Sequence, residues 1–135
     1  MNSLNKYFPV SKEIPIDKFI FNALYDKDCG YYSKKIPFGK NGDFVTSPGI
    51  SSLYSEMIAL WIIAYWEHLG RPRIFNIVEL GPGNGQMCLT LVKIFKKFPF
   101  FFSSANIFLY EKSKILKGLQ KKNLFYLKVS WIKNF

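Results

Sequence analysis

Residues 74–86 read Ile74-Phe75-Asn76-Ile77-Val78-Glu79-Leu80-Gly81-Pro82-Gly83-Asn84-Gly85-Gln86. An apolar run rich in β-formers meets a carboxylate, Glu79, and a turn with three glycines leads into a helix-compatible segment. Strand, tight loop and helix start is the layout by which α/β proteins hold a nucleotide-like ligand. Glycine turns the backbone sharply and leaves no Cβ between it and the ligand.

The loop narrows the choice of ligand. A dinucleotide fingerprint wants its third glycine, or an alanine, where this chain has Gln86, and here the third glycine comes early, at Gly85. No Lys-Ser/Thr pair follows the glycines, which excludes a phosphate-cradling P-loop. An acid ahead of the loop repels a pyrophosphate but suits a cation. S-adenosyl-L-methionine carries an ammonium and a sulfonium and no phosphate. The next apolar run ends in Glu111, where a ribose's paired hydroxyls would be held. The plain alternative is a glycine turn with two incidental acids; a dehydrogenase is disfavoured by Gln86.

The rest of the composition sets bounds. At 135 residues the chain has the length of one domain, and 49% hydrophobic with 19% aromatic content excludes a disordered one. The net charge of +10 comes from lysines spread over 93–97, 112–122 and 128–133, without an arginine cluster, which reads as a solvated basic surface rather than a nucleic-acid interface. Cys29 and Cys88 have neither metal spacing nor a disulfide framework and suit a reducing compartment. No signal or transit pattern opens the chain, and the longest apolar run, Met57 to Trp66, is far short of the ~20 residues of a membrane span. The expectation is a soluble intracellular protein, in the cytoplasm of a bacterium or the mitochondrial matrix of a eukaryote.

Taken in order, residues 1–14 read as a lead-in, and Pro15 opens a helix to about Tyr25 with Ile16, Phe19, Ile20, Ala23 and Leu24 on one face. Asp26 to Gly42 reads as a long loop pinned by Tyr31, Tyr32, Phe38 and Phe44. Ser47 and Pro48 begin a strong helix that Gly70 and Pro72 end, with Trp61 and Trp66 expected in the core and His68 in the last turn. A strand over 74–80, a helix from Gln86 to Lys97 and a loop through Pro99 and Phe100 to Phe102 come next. A strand over 106–110, a helix capped by Ser113 reaching Lys122 and a strand over 124–129 complete the pattern. This β-α-β-α-β run predicts an α/β fold with a parallel sheet, and three strands make about half of a doubly wound sheet. The expected organisation is an N-terminal segment, 1–73, and the first half of a cofactor domain, 74–135. An unpaired apolar strand edge in such a half implies a missing part or a second chain.

Several blocks, in order, carry a resemblance. They are Leu24-Tyr25-Asp26 with Gly30-Tyr31-Tyr32, then Phe38-Gly39 and Gly42-Asp43-Phe44-Val45-Thr46-Ser47-Pro48, and Ile50-Ser51 with Tyr54, Glu56 and Trp61. Val78-Glu79-Leu80-Gly81-Pro82-Gly83-Asn84-Gly85 and Glu111-Lys112-Ser113 with Leu116 and Gln120 complete the set. The chain resembles the methyltransferases of the mitochondrial complex I assembly-factor type, protein arginine methyltransferases with bacterial MidA-like relatives. The resemblance implies a class I, Rossmann-like methyltransferase fold, S-adenosyl-L-methionine as cofactor and a protein substrate, in the mitochondrial members a complex I subunit. It places Glu79, Gly81, Pro82, Gly83 and Gly85 at the methionine end, Glu111 at the ribose, and Asp43, Thr46, Pro48 and Ser51 in a lid or floor. Gly49 and Ser52 depart from the family's usual Glu and Gln. The family's acids Asp43 and Glu56 are the candidates to orient a guanidinium, and no catalytic base is assigned. Family members are longer, so the chain reads as an N-terminal piece, active with a second chain or else a non-catalytic remnant.

Overall fold

Three parallel strands, β1 (Phe75–Leu80), β2 (Ala105–Tyr110) and β3 (Val129–Ile132), form a sheet in the order β1-β2-β3. This is a computed structural model, and it describes residues 13–38 and 42–134. Gly39 and Asn41, and nearly all of the lead-in, lie outside the described residues. The helices are α1 (Ile16–Tyr25), α2 (Tyr31–Lys34), α3 (Ser47–Ile50), α4 (Ser52–His68), α5 (Gln86–Phe95), α6 (Pro99–Ser104) and α7 (Lys114–Asn123). The β-α-β-α-β pattern is therefore present, with β1 paired to β2 from Phe75↔Ala105 to Leu80↔Tyr110.

Strand alternation decides where the core forms. On β1, Phe75, Ile77 and Glu79 turn to one face while Asn76, Val78 and Leu80 stay exposed on the other. Ile107 and Leu109 of β2 share the inner face and pack with Leu91, Val92 and Phe95 of α5 and with Ala59, Ile63 and Trp66 of α4. The Trp66 indole N–H donates to the Pro72 carbonyl at 2.9 Å, fixing the exit of α4, and its ring meets Phe101 edge-on. Trp61 departs from expectation: it is 64% exposed, stacked on Tyr65. Helix α4 is apolar almost all round, so one stripe suffices for the core and Leu53, Met57 and Trp61 remain outside it.

Five further readings are corrected. The segment 99–102 is not a bare connection but helix α6, because Pro99 opens a turn that buries Phe101 among Trp66, Phe75 and Phe95. The long loop contains α2, and Phe38 and Phe44 form a parallel bridge. The helix expected from Ser47 breaks at Ser51, whose extended backbone (φ −147°, ψ 137°) separates α3 from α4. Ser51, not Ser47, caps α4 by accepting from the Leu53 N–H at 3.2 Å. The third strand starts at Val129 rather than Leu124. Leu124 closes α7 through its N–H to the Gln120 carbonyl, and its buried side chain lies against Gly85, so a turn precedes the strand. Finally, α1 buries none of its residues fully, and Ile16, Phe19 and Ile20 are exposed among the described residues.

Ser113 links α7 to α2. Its hydroxyl accepts from the Leu116 N–H at 3.3 Å, capping α7, and donates to the Tyr32 carbonyl at 2.6 Å. Ser113→Ala removes both bonds. We expect a loss of about 1–2 kcal/mol, read as a lower midpoint in urea with an unchanged slope.

Candidate functional site

The strand ends place two carboxylates beside the glycine loop. Gly81, Gly83 and Gly85 all have positive φ, at +64°, +57° and +83°, which explains why glycine stands at each. The Gly81 N–H donates to the Tyr110 carbonyl at 2.9 Å, tying the loop to the end of β2. Asn84 Oδ1 accepts from the Gln86 N–H at 3.0 Å, a local turn bond at the start of α5, whose N-cap is Gly85.

Three clefts adjoin along this edge, and Phe38 lines all of them. The first, about 160 Å³, lies over the loop and is lined by Thr46, Pro48, Glu79, Gly81, Pro82, Gly83 and Asn84 among others. The second, about 110 Å³, has Tyr25, Tyr32, Gly81, Gly83 and Glu111 in its walls. The third, about 470 Å³, opens beside the first and takes in Thr46, Pro48, Gly49, Ser51, Ser52, Asn84 and Gln86.

Glu79 is the least ordinary group here. Its side chain is buried, burial pushes its carboxyl up to about 7, and its Oε2 has no hydrogen-bond partner. Such an atom costs free energy unless something satisfies it. Nearby Cys88 is raised to about 12 by burial and by the charge of Glu79, so it is a packed thiol rather than a nucleophile at neutral pH.

Glu111 is held differently. Its Oε1 accepts from the Ser113 N–H at 2.8 Å and its Oε2 from the Gln120 side chain at 3.1 Å. The Gln120 amide also donates to the Gly83 carbonyl at 2.9 Å, and its oxygen accepts from the Trp131 indole N–H at 3.0 Å.

The residues singled out from the sequence thus divide. Glu79, Gly81, Pro82, Gly83, Glu111, Thr46, Pro48 and Ser51 line the clefts. Gly85 is not among the lining residues; an added Cβ there would stand 3.0 Å from Leu124 Cδ1, so the close approach of Leu124 to the loop favours glycine. Asp43 is not among the lining residues. The Lys35 ammonium and the Tyr31 hydroxyl take up its carboxylate and hold it below the usual carboxylate range. Glu56 sits on α4, outside the three linings. Sequence reasoning used Phe38 only to pin the long loop and Gln120 only as part of the resemblance, and assigned neither of them, nor Asn84, to the site. Gln120 had a signal: it falls between Leu116 and Leu124 at fourth-residue spacing, a polar residue on the apolar stripe of a lysine-rich helix.

No group of three or more metal-binding side chains occurs among the described residues, and no described helix is long and apolar enough to cross a membrane.

Comparison with known proteins places this geometry in a family. The family model described as "Putative S-adenosyl-L-methionine-dependent methyltransferase" matches residues 57–135. The homolog of the mitochondrial protein arginine methyltransferase NDUFAF7 from Drosophila melanogaster is 38% identical over 85 residues, 63% of this chain and 20% of that protein. NDUFAF7 of Homo sapiens is 31% identical over 123 residues, 90% of this chain and 28% of that one. The chain therefore spans between a fifth and under a third of the length of these curated relatives. A crystal structure from Burkholderia thailandensis, of a superfamily member bound to S-adenosyl-homocysteine, superposes with a TM-score of 0.80 at 22% identity, covering 98% of this chain and 36% of that one. The fold is accordingly the methyltransferase fold in part, as the resemblance implied. This chain belongs to that family of S-adenosyl-L-methionine-dependent methyltransferases.

Proposed function

We propose that this chain forms the cofactor-holding part of a protein arginine methyltransferase. Residues 74–135 supply the cofactor half of the sheet, and Tyr25, Tyr32, Phe38, Thr46 and Pro48 of the N-terminal segment wall the clefts beside it. The observation that carries the reading is the buried Glu79 carboxylate, whose Oε2 lacks a partner under the glycine loop. A cationic ligand in the adjoining cleft would satisfy it. The site fits S-adenosyl-L-methionine in a second respect: a Cβ at Gly81 would meet nothing within 4 Å, so the loop presents open space to the cleft.

Glu79 faces the ammonium in this reading, and Gly81, Pro82 and Gly83 lie along the methionine end. Glu111 takes the ribose hydroxyls. Thr46, Pro48 and Ser51 close the N-terminal side, while Asp43 supports that side through Tyr31 and Lys35. Bound there, the cofactor supplies an electrophilic methyl group on a sulfonium. The chain's own contribution is alignment and exclusion of water. The acceptor would be an arginine of a protein, in keeping with the relatives' names and, by resemblance, a complex I subunit. The setting would be the mitochondrial matrix or a bacterial cytoplasm.

A second reading, a module that binds the cofactor but needs another polypeptide for chemistry, has a specific support. No carboxylate lines the 470 Å³ cleft, so nothing there orients a guanidinium or accepts its proton. A further segment or chain over the exposed Val78 and Leu80 would supply what is missing.

Titration calorimetry of the chain with S-adenosylmethionine tests the cofactor claim. Saturable binding is expected, and no heat at millimolar ligand would remove it. Methyl transfer to an arginine peptide by the chain alone would decide between the two readings.

A further inference from the structure

We infer that Gln120 is a positioning residue that fixes the Glu111 carboxylate and the Gly83 carbonyl together, and so sets the recognition of the ribose. This rests on the cofactor reading above and adds a residue to it. Gln120 is fully buried, and its carboxamide makes three bonds, to Gly83 O, Glu111 Oε2 and Trp131 Nε1. Those partners lie on the loop after β1, at the end of β2 and on β3, so one side chain ties three consecutive strand ends.

A buried amide is costly to place unless each polar atom is paired. A leucine would continue the stripe of Leu116 and Leu124 without that requirement. The amide is thus a poor choice for packing alone. What it achieves is orientation. Glu111 Oε1 is held by the Ser113 N–H and Oε2 by Gln120, which fixes the carboxylate plane while each oxygen keeps a further lone pair for a ligand hydroxyl. The same Nε2 holds the Gly83 carbonyl, so the glycine loop and the acid cannot move independently. Trp131 in turn fixes the amide's own orientation by donating to Oε1.

The test is a ligand cycle on the chain with Gln120→Leu, backed by Gln120→Met should the leucine variant fail to fold. The probes are S-adenosylhomocysteine and its analogue lacking the ribose 2′-hydroxyl. In the wild type we expect removal of the hydroxyl to weaken binding by roughly tenfold or more, and in the variants by less than about threefold. An equal penalty in wild type and variants would overturn the inference, because a packing role weakens both ligands alike. A ligand-free readout accompanies it. Hydrogen exchange at the Ser113 amide should quicken by about tenfold relative to the Leu89 amide in α5 once Glu111 is released. Unchanged relative exchange would also overturn it. If the wild type binds neither probe, the cofactor reading fails and the Ser113 exchange alone decides the role of Gln120.

Discussion

Replacing Glu79 with glutamine should remove a pH-dependent loss of stability that the wild-type chain suffers between about pH 4.5 and 7. The buried carboxyl titrates near 7 in the folded chain, against an ordinary 4.5. Between those values the folded state binds a proton that the unfolded state has released, so stability falls as pH rises. The favourable contribution is complete below 4.5 and gone above about 7. The difference in unfolding free energy between wild type and Glu79→Gln should therefore change by about 3 kcal/mol between pH 4 and 8, with the variant gaining on the wild type. Urea titrations at several pH values measure it, and parallel profiles would sink the assignment. Binding has the opposite sign. An ammonium needs the ionised carboxylate, so affinity for S-adenosylmethionine should rise with pH up to about 7, with proton release in calorimetry below that. Glu79→Gln should lose at least roughly tenfold in affinity and the proton release with it.

Gly83→Val should reduce S-adenosylhomocysteine binding on the order of a hundredfold, the equivalent of about 3 kcal/mol. Gly83 holds φ at +57°, a conformation that costs a side chain about 1–2 kcal/mol. Its Cβ would meet the Phe38 ring at 3.5 Å, and the two methyl groups beyond would enter the narrow clefts that Gly83 shares. Gly70→Val separates the two effects. Gly70 has φ +79° with nothing within 4 Å and lies away from the clefts, so it should lose stability but not affinity. Equal affinity losses in the two variants would show that backbone strain, not occlusion, is responsible.

The strand–glycine–helix passage was readable because each of its signals is local. Apolar residues at strand spacing, three glycines needing positive φ and an acid at the strand end all fall within 13 residues, 74 to 86. The cap at Ser113 was legible for the same reason. Errors fell where a distant partner decides. Phe101 makes 99–104 a helix because Trp66 and Phe95 offer a socket 35 and 6 residues earlier. Leu124 is turned from strand to helix cap by its packing on Gly85, which sequence spacing does not encode.

By itself, then, the sequence determined the parallel α/β order, the glycine loop and the two acids, because periodicity and turn chemistry are written along the chain, and it carried the blocks on which the family resemblance rests. The tertiary structure decided that Glu79 is buried with an unpaired oxygen and that Asp43 is taken up by Lys35 and Tyr31. It also decided that Gln120 joins the loop to Glu111. Burial and hydrogen-bond partnership are properties of neighbours brought together by folding, and residues 37 apart in sequence reveal them only once they touch.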